Sequence, residues 1–151
     1  MIGYEGHGDK EDALPSRGFQ SAHLSDIQPL HEPEPGEATW KPVRHHFGIQ
    51  AFGVNAFVAA DAGEYVVEEH AEADESGTGH EELYLVTSGR AAFAVGGDEI
   101  DAPAGTLVFV PDPNVRRAAV AREAGTTVLA FGATPGVQFT ISPWERKYTG
   151  D

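Results

Sequence analysis

The chain has 151 residues, with 24 acidic side chains against 10 basic ones and a formal net charge of -14. This charge indicates no nucleic-acid and no membrane partner, because both surfaces are anionic and would repel the chain. The absence of cysteine excludes disulfides, thiolate metal sites and a cysteine nucleophile. A single domain is expected from the length, and a cytoplasmic location from the lack of cysteine and of an apolar signal or membrane-spanning run.

The first part of the chain carries few signals of regular structure. Residues 1–20 hold several glycines and scattered charges with few large apolar residues, which predicts a disordered acidic tail. Within residues 21–39 we expect a short edge strand at 22–27 and a proline-rich loop at 29–37. This edge strand is the segment expected to cover a sheet edge or cross over in a homodimer.

Residues 40–135 alternate short β-rich runs with turn residues, a pattern typical of a single all-β barrel or sandwich. Gly89 and the pair Gly96-Gly97 supply the positive φ angles that tight hairpins require. Residues 136–151 are expected to pack on the barrel as an extension that includes one or two helical turns after Ser142. The predicted strands are 43–47, 49–59, 64–70, 82–88, 90–95, 98–102, 106–110, 115–121 and 126–132.

Side-chain types along these runs predict the interior. Tyr84 and Asn55 are expected to face inside the barrel, whereas the adjacent His45 and His46 are interpreted as surface residues, since neighbours in a strand point to opposite faces. The phenylalanines on the predicted strands are expected to pack in the core or against the sheets. They are Phe52, Phe57, Phe93, Phe109 and Phe131.

Two segments resemble the motifs of the cupin superfamily. In residues 80–90, Glu82 is followed by six residues and then Gly89, which is similar to the second half of the first cupin motif. In residues 97–111, Gly97, Pro103 and Gly105 have the spacing of the second motif. The resemblance spans roughly residues 40–132 and implies a single cupin barrel, a double-stranded β-helix or jelly roll.

The resemblance is incomplete where cupins usually hold a metal. The family usually carries a His-x-His pair three or four residues before the glutamate, and this chain has Ser76 and Thr78, or Glu75 and Gly77, at those places. Cupins also usually carry a histidine on the strand after the second motif, and the corresponding position in this chain is at about Arg116. The resemblance therefore implies at most part of the usual four-ligand set.

Three other residues form a candidate metal site. If the strand ending at His70 pairs near the strand that holds Glu82, then His70, His80 and Glu82 meet at the barrel mouth, because residues two apart in a strand share a face. Two imidazoles and a carboxylate suit a divalent ion such as Fe, Mn, Ni or Zn. An inward-pointing Arg116 would repel the ion, and the repulsion energy is on the order of 4 kcal/mol per unit charge at about 4 Å. Such an arginine would pair with Glu82 instead. If Arg116 points outward, Arg117 is the inward residue.

These observations leave three functions open, and none assigns a catalytic residue. The first is binding of a small molecule, with an anionic one favoured, in a pocket lined by Glu82, Tyr84 and either Arg116 or Arg117. The second is a divalent-metal-dependent enzyme of the oxygenase or isomerase type that uses His70, His80 and Glu82. The third is a stability or interaction module without a pocket.

Overall fold

The computed structural model describes residues 18–151, so the predicted tail at 1–20 lies almost wholly outside the described residues. The described part is built of β-strands in two antiparallel sheets, with three short helical segments, which confirms the all-β prediction. The strands are β1 (Thr39–Lys41), β2 (Gly53–Val58), β3 (Tyr65–His70), β4 (Glu81–Ser88), β5 (Arg90–Val95), β6 (Asp98–Pro103), β7 (Leu107–Val110), β8 (Arg117–Ala121) and β9 (Thr127–Ala133); the helices are α1 (Val43–Phe47) and α2 (Pro143–Thr149).

The core lies between a five-stranded sheet, ordered β1-β2-β9-β4-β7, and a four-stranded sheet, ordered β3-β8-β5-β6. Alternate residues of each strand point between the sheets, as the period of two requires. Tyr84 and Phe93 meet there from opposite sheets, with ring centroids 5.6 Å apart. With Arg117 they are among the largest fully buried side chains, so the centre of the fold is filled by side chains.

Gly89 ends β4 in the way that the sequence predicts. Its φ is +76°, and a Cβ at this position would lie 2.6 Å from the Thr126 backbone. A glycine is required here both for the backbone conformation and for the close approach of Thr126, the residue before β9.

Two strand predictions are wrong. Val43–Phe47 is the helix α1, which ends at Gly48 in the left-handed conformation (φ 71°). The β-branched and aromatic residues of this segment favoured a strand, but the glycine is a common helix terminator.

The predicted edge strand at 22–27 is instead a loop with a 3-10 turn at Leu24–Asp26, where the His23 side chain accepts a hydrogen bond from the Ser25 amide. The strand β1, which follows it, was not predicted.

Burial corrects the prediction for two of the five phenylalanines. Phe93 is buried and Phe57 packs against the core. Phe52 and Phe109, however, are exposed by 42% and 57%. Phe109 sits on β7 with its ring on the outer side of the sheet, because its neighbours Val108 and Val110 point into the core. Alternation alone cannot tell which of two apolar sets along a strand faces inward.

Residues of the C-terminal helix pack against the first strand of the five-stranded sheet. Trp144 of α2 contacts Trp40 of β1, with ring centroids 4.8 Å apart. Over residues 18–151, no helix is long and apolar enough to cross a membrane.

Candidate functional site

Three strands bring titratable side chains together at one end of the space between the sheets. His70 is the last residue of β3 and pairs with Arg117, the first residue of β8. Glu82 lies near the start of β4, opposite Val110 and Gly132. Each strand therefore contributes a residue at or next to its end, and these residues form the mouth of the barrel.

Glu82 is held by several donors at one of its carboxylate oxygens. Arg117 Nη1 donates to Oε1 over 2.9 Å, and the Tyr84 hydroxyl donates to the same atom. Burial raises the pKa of Glu82, but the hydrogen bonds of His70 and Tyr84 and the charges of His70 and Arg117 outweigh it and lower the pKa overall. Burial and the Glu82 charge in turn raise the pKa of Tyr84 well above its usual range. Glu82 is thus an oriented carboxylate with a neutral phenol beside it.

Arg117 is sealed in the interior. Its side chain is 0% exposed and donates also to the carbonyl oxygens of Val115 (2.9 Å) and Asp112 (3.2 Å). All three guanidinium nitrogens are therefore engaged within the protein. Arg116 lies on the other side of the chain, exposed, with its Nε 3.1 Å from Glu69 Oε2. Neither arginine is available to a ligand at the mouth.

His70 is oriented by its backbone neighbour. Its Nδ1 donates to the Glu68 carbonyl oxygen over 2.7 Å, which turns Nε2 toward two carboxylates, Glu72 Oε2 at 2.9 Å and Glu82 Oε1 at 3.5 Å. Burial lowers the pKa of His70, but the bonds to Glu72, Glu82 and the Glu68 carbonyl outweigh it and raise the pKa to about 10. At neutral pH the ring carries a proton on each nitrogen.

Glu72 completes the cluster and was not predicted. Donor atoms of His70, Glu72 and Glu82 all lie within 4.8 Å of one another. Glu72 follows His70 by two residues, so a strand period continued past β3 would have placed it on the same face. The predicted strand 64–70 ends two residues before Glu72, so the sequence prediction left this residue outside the site.

His80 lies at the edge of this cluster. Its Nδ1 is 3.7 Å from Glu72 Oε1, and its ring packs near Phe139, with centroids 5.5 Å apart. Gly132 lies beside both Glu82 and His80. A Cβ at this position would come within 3.3 Å of Glu82 Cγ and 3.4 Å of His80 Nδ1. The missing side chain therefore keeps space between the two residues. His70 and Glu82, both predicted, are brought together, and His80 reaches them through Glu72.

Comparison with solved structures shows which fold this is. A putative sugar phosphate isomerase from Acidithiobacillus ferrooxidans superposes with a TM-score of 0.61 over 82% of this chain and 76% of its own, at 19% identity. A cupin protein from Bacteroides fragilis superposes with a TM-score of 0.53 over 78% of this chain and 92% of its own, at 17% identity.

The protein has the cupin fold. KdgF from Halomonas sp. is a further neighbour, with a TM-score of 0.55 over 71% of this chain and 86% of its own, at 18% identity. No protein-family model and no curated protein sequence matches the chain. At these identities the comparison establishes the fold alone, and the chemistry of this protein must be argued from its own residues.

The donor set of the cluster fits a divalent cation. One imidazole nitrogen and two carboxylates are ligands that Mn, Fe, Ni and Zn accept. The hydrogen bond from His70 Nδ1 to a backbone carbonyl is the kind of support that fixes metal-binding histidines, and it leaves Nε2 as the ligand atom. A cation would take the place of the proton that Nε2 now shares with the carboxylates.

Proposed function

We propose that this protein binds a divalent cation at the barrel mouth through His70, Glu72 and Glu82, and handles a small oxygen-rich molecule beside it. The observation that carries the proposal is the orientation of His70, whose Nε2 faces Glu72 at 2.9 Å and Glu82 at 3.5 Å while Nδ1 is held by a carbonyl. A bound divalent cation would supply Lewis-acid polarisation of a substrate oxygen.

The surrounding residues have distinct tasks in this proposal. Arg117 and Tyr84 fix the Glu82 carboxylate, so little reorganisation is needed when a ligand binds. Because the Tyr84–Phe93 pair and Arg117 fill the space deeper in the barrel, the small molecule is expected at the mouth, beside His80 and Phe139.

An isomerase is the enzyme type we favour, since a structural neighbour is described as a putative sugar phosphate isomerase. Such a reaction moves a proton between a carbon beside a carbonyl and its neighbour, and it needs a base within reach of the carbon. Glu72 is the carboxylate available for this role, because Glu82 is occupied by Arg117 and Tyr84. In this proposal Glu72 Oε2, which faces His70 Nε2 at 2.9 Å, holds the cation. The other oxygen, Oε1, takes the proton, and His80 Nδ1, 3.7 Å away, orients it.

Charge balance at the mouth favours a second candidate, small-molecule binding without a metal. The imidazolium of His70 and the guanidinium of Arg117 offset the two carboxylates of the cluster. Because Arg117 is fully buried, an anionic group on the ligand would have to be met by His70 alone. This differs from the arginine-lined pocket expected from the sequence.

Metal content separates the two candidates. Untagged protein is incubated with Mn²⁺, Fe²⁺, Ni²⁺ or Zn²⁺, desalted, and analysed by plasma mass spectrometry. About one equivalent of one metal is expected, with at least about tenfold weaker binding in His70→Asn and Glu72→Gln. His46→Asn and Glu75→Gln, which change exposed residues of the same types, are the matched controls and should bind as the wild type does.

Two results would overturn the metal proposal: no retained metal under any condition, or equal retention in the cluster variants and the controls. Isomerase activity is then a separate question for the loaded protein. Incubation with aldose and ketose phosphates in D₂O should place deuterium at the carbon beside the carbonyl in the wild type. It should not do so in Glu72→Gln, even at a metal concentration that loads both proteins equally. If metal binds and no deuterium enters, the cation site stands and the isomerase assignment fails.

A further inference from the structure

The inner face of the five-stranded sheet has no side chains at one place beside the barrel mouth. Register pairs Gly53 of β2 with Gly132 of β9, and Gly132 with Glu82 of β4. Residues paired directly across two strands share a face, so both glycines lie on the face that carries Glu82. Neither has a positive φ, so turn geometry does not account for them. Together they leave a groove that leads from Glu82 toward β2.

The ring of Phe139 fills this groove. A Cβ at Gly53 would lie 3.4 Å from two atoms of that ring, Cε1 and Cζ. The same ring packs near His80, with ring centroids 5.5 Å apart, and His80 Nδ1 lies 3.7 Å from Glu72 Oε1. The groove therefore holds one six-membered ring, and it borders on the residues of the candidate cation site.

Few contacts hold Phe139 in the groove. It lies half-buried in the loop 134–142 between β9 and α2, and its neighbours Gln138 and Thr140 are exposed. Among the described residues, none of 138–141 makes a backbone hydrogen bond to another part of the chain. The two ends of the loop are fixed, one by the pairing of β9 and the other by the buried Arg44–Glu145 ion pair. The ring can therefore leave the groove without moving the strands or α2.

One step deeper than Gly53, β2 carries an unused hydrogen-bond acceptor. Asn55 is two residues along the strand, so it shares the face of Gly53, and it is 7% exposed. Its Nδ2 donates to Glu145 Oε1 over 3.3 Å, which fixes the amide, because a flipped amide would set two oxygens against each other. Asn55 Oδ1 is left buried with no hydrogen-bond partner in the described part of the chain. Because a buried acceptor without a donor is costly, a ligand hydroxyl that donates to it would be bound favourably.

We propose that the groove over Gly53 and Gly132 is a subsite for a polyol chain, and that Phe139 is a plug that such a ligand displaces. The proposal rests on the proposed function, because it places the oxygen-rich molecule beside the cation. One end of the chain would reach the cation at Glu82, and a hydroxyl near the other end would donate to Asn55 Oδ1. These residues stand two strands apart, about 10 Å, which suits a five- or six-carbon polyol with its hydroxyls.

Saturation-transfer NMR titrations of the full chain with sorbitol, with and without Zn²⁺, test the proposal. Phe139→Ala should bind sorbitol at least about tenfold more tightly than the wild type, because plug and ligand compete for one space. Phe109→Ala, which removes an exposed ring from the outer face, is the matched control and should bind as the wild type does. Adding Gly53→Val to Phe139→Ala should abolish binding, since valine fills the groove and is favoured in strands.

A second probe, 1,2-hexanediol, distinguishes a polyol subsite from a mere cavity left by the missing ring. It has the length of sorbitol but no hydroxyl at its far end, so it should bind Phe139→Ala at least about tenfold more weakly than sorbitol does. Tighter binding of 1,2-hexanediol overturns the proposal, because an apolar cavity would prefer the apolar chain. Sorbitol binding that Phe139→Ala does not strengthen, or that Gly53→Val leaves unchanged, also overturns it. Circular dichroism checks that each variant is folded.

The two metal conditions separate this proposal from the proposed function. Sorbitol that binds Phe139→Ala in the groove while no variant retains metal would support the subsite and remove the cation site. Retained metal with no sorbitol bound to any variant would overturn the subsite and leave the cation site in place.

Discussion

Arg116 and Arg117 are neighbours in sequence but have opposite environments. Arg117 points between the sheets, where Glu82 and two backbone carbonyls use its donors. Arg116 is exposed, and its Nε lies 3.1 Å from Oε2 of Glu69, which is exposed as well. The two residues are thus a natural matched pair in which charge and size are the same and only burial differs.

Replacing Arg117 by methionine should lower the free energy of unfolding by about 3–5 kcal/mol, because the largely buried Glu82 carboxylate would lose the guanidinium that pairs with it. Arg116→Met should change it by less than about 1 kcal/mol, since exposed ion pairs contribute little. Urea unfolding followed by circular dichroism measures both. Equal effects of the two substitutions would contradict the burial difference on which the site description depends.

At the scale of elements, Arg44 links both helices to the five-stranded sheet. From α1 its Nε donates to Glu145 Oε2 of α2 over 2.6 Å, and its Nη2 donates to Asp151 Oδ2 over 2.9 Å. Asn55 of β2 donates to the other oxygen of Glu145. The side chains of Arg44 and Glu145 are both 3% exposed, so this contact fixes where α2 lies on the sheet.

Acid should release the end of α2. A hydrogen bond from Thr149 and the charge of Arg44 lower the pKa of Asp151 below its ordinary value of 3.8. A lowered pKa means that the ionised carboxylate contributes stability above pH 3.8, and that this contribution disappears as the pH falls further. The only two tryptophans, Trp40 and Trp144, touch each other where α2 packs on β1. Their fluorescence should therefore shift on acidification below pH 3.8, before the circular dichroism of the strands changes.

Asp151→Asn removes the titrating group and should abolish this early shift, whereas Asp98→Asn, in the hairpin between β5 and β6, should leave it in place. A shift that persists unchanged in Asp151→Asn would show that another group controls the contact. The same experiment at neutral pH compares how firmly α2 is attached with and without the carboxylate.

Most of the strands could be predicted from the sequence because their turns are marked by glycine and proline and their residues alternate. Gly89 is an example, since its positive φ follows from the turn itself. The helix α1 was missed because it has only five residues, and Arg44 within it is stabilised by Glu145, about a hundred positions away. No local pattern contains that partner.

The candidate site, like the fold, could be predicted only in part from the sequence. His70 and Glu82 could be paired because each ends or begins a recognisable strand. The choice between Arg116 and Arg117 could not be made, because alternation fixes only that the two differ, and the register of β8 against β3 decides which one faces His70. The contribution of Glu72 likewise depends on how the chain continues beyond β3.

At the scale of the whole molecule, the two sheets have different outer surfaces. The four-stranded sheet bears acidic side chains and the Arg90–Asp101 ion pair, whose closest atoms are 2.6 Å apart. The five-stranded sheet instead bears apolar side chains on its outer face, where Phe109 and Leu107 of β7 are 57% and 59% exposed. The two sheets therefore present different chemistry on their outer faces, while the barrel mouth, at the end of the sheets, belongs to neither face.

The net charge of -14 predicts that salt stabilises this protein. Like charges on one compact surface repel one another, and raising NaCl from 0.1 to 1 M shortens the screening length from about 10 to about 3 Å. The free energy of unfolding in urea should rise by on the order of 1 kcal/mol. Because salt would also favour association of acidic copies, the measurement should be made at two protein concentrations about tenfold apart. A gain that is the same at both reflects repulsion within one chain. A loss of stability with salt would show instead that exposed ion pairs such as Arg90–Asp101 dominate the surface electrostatics.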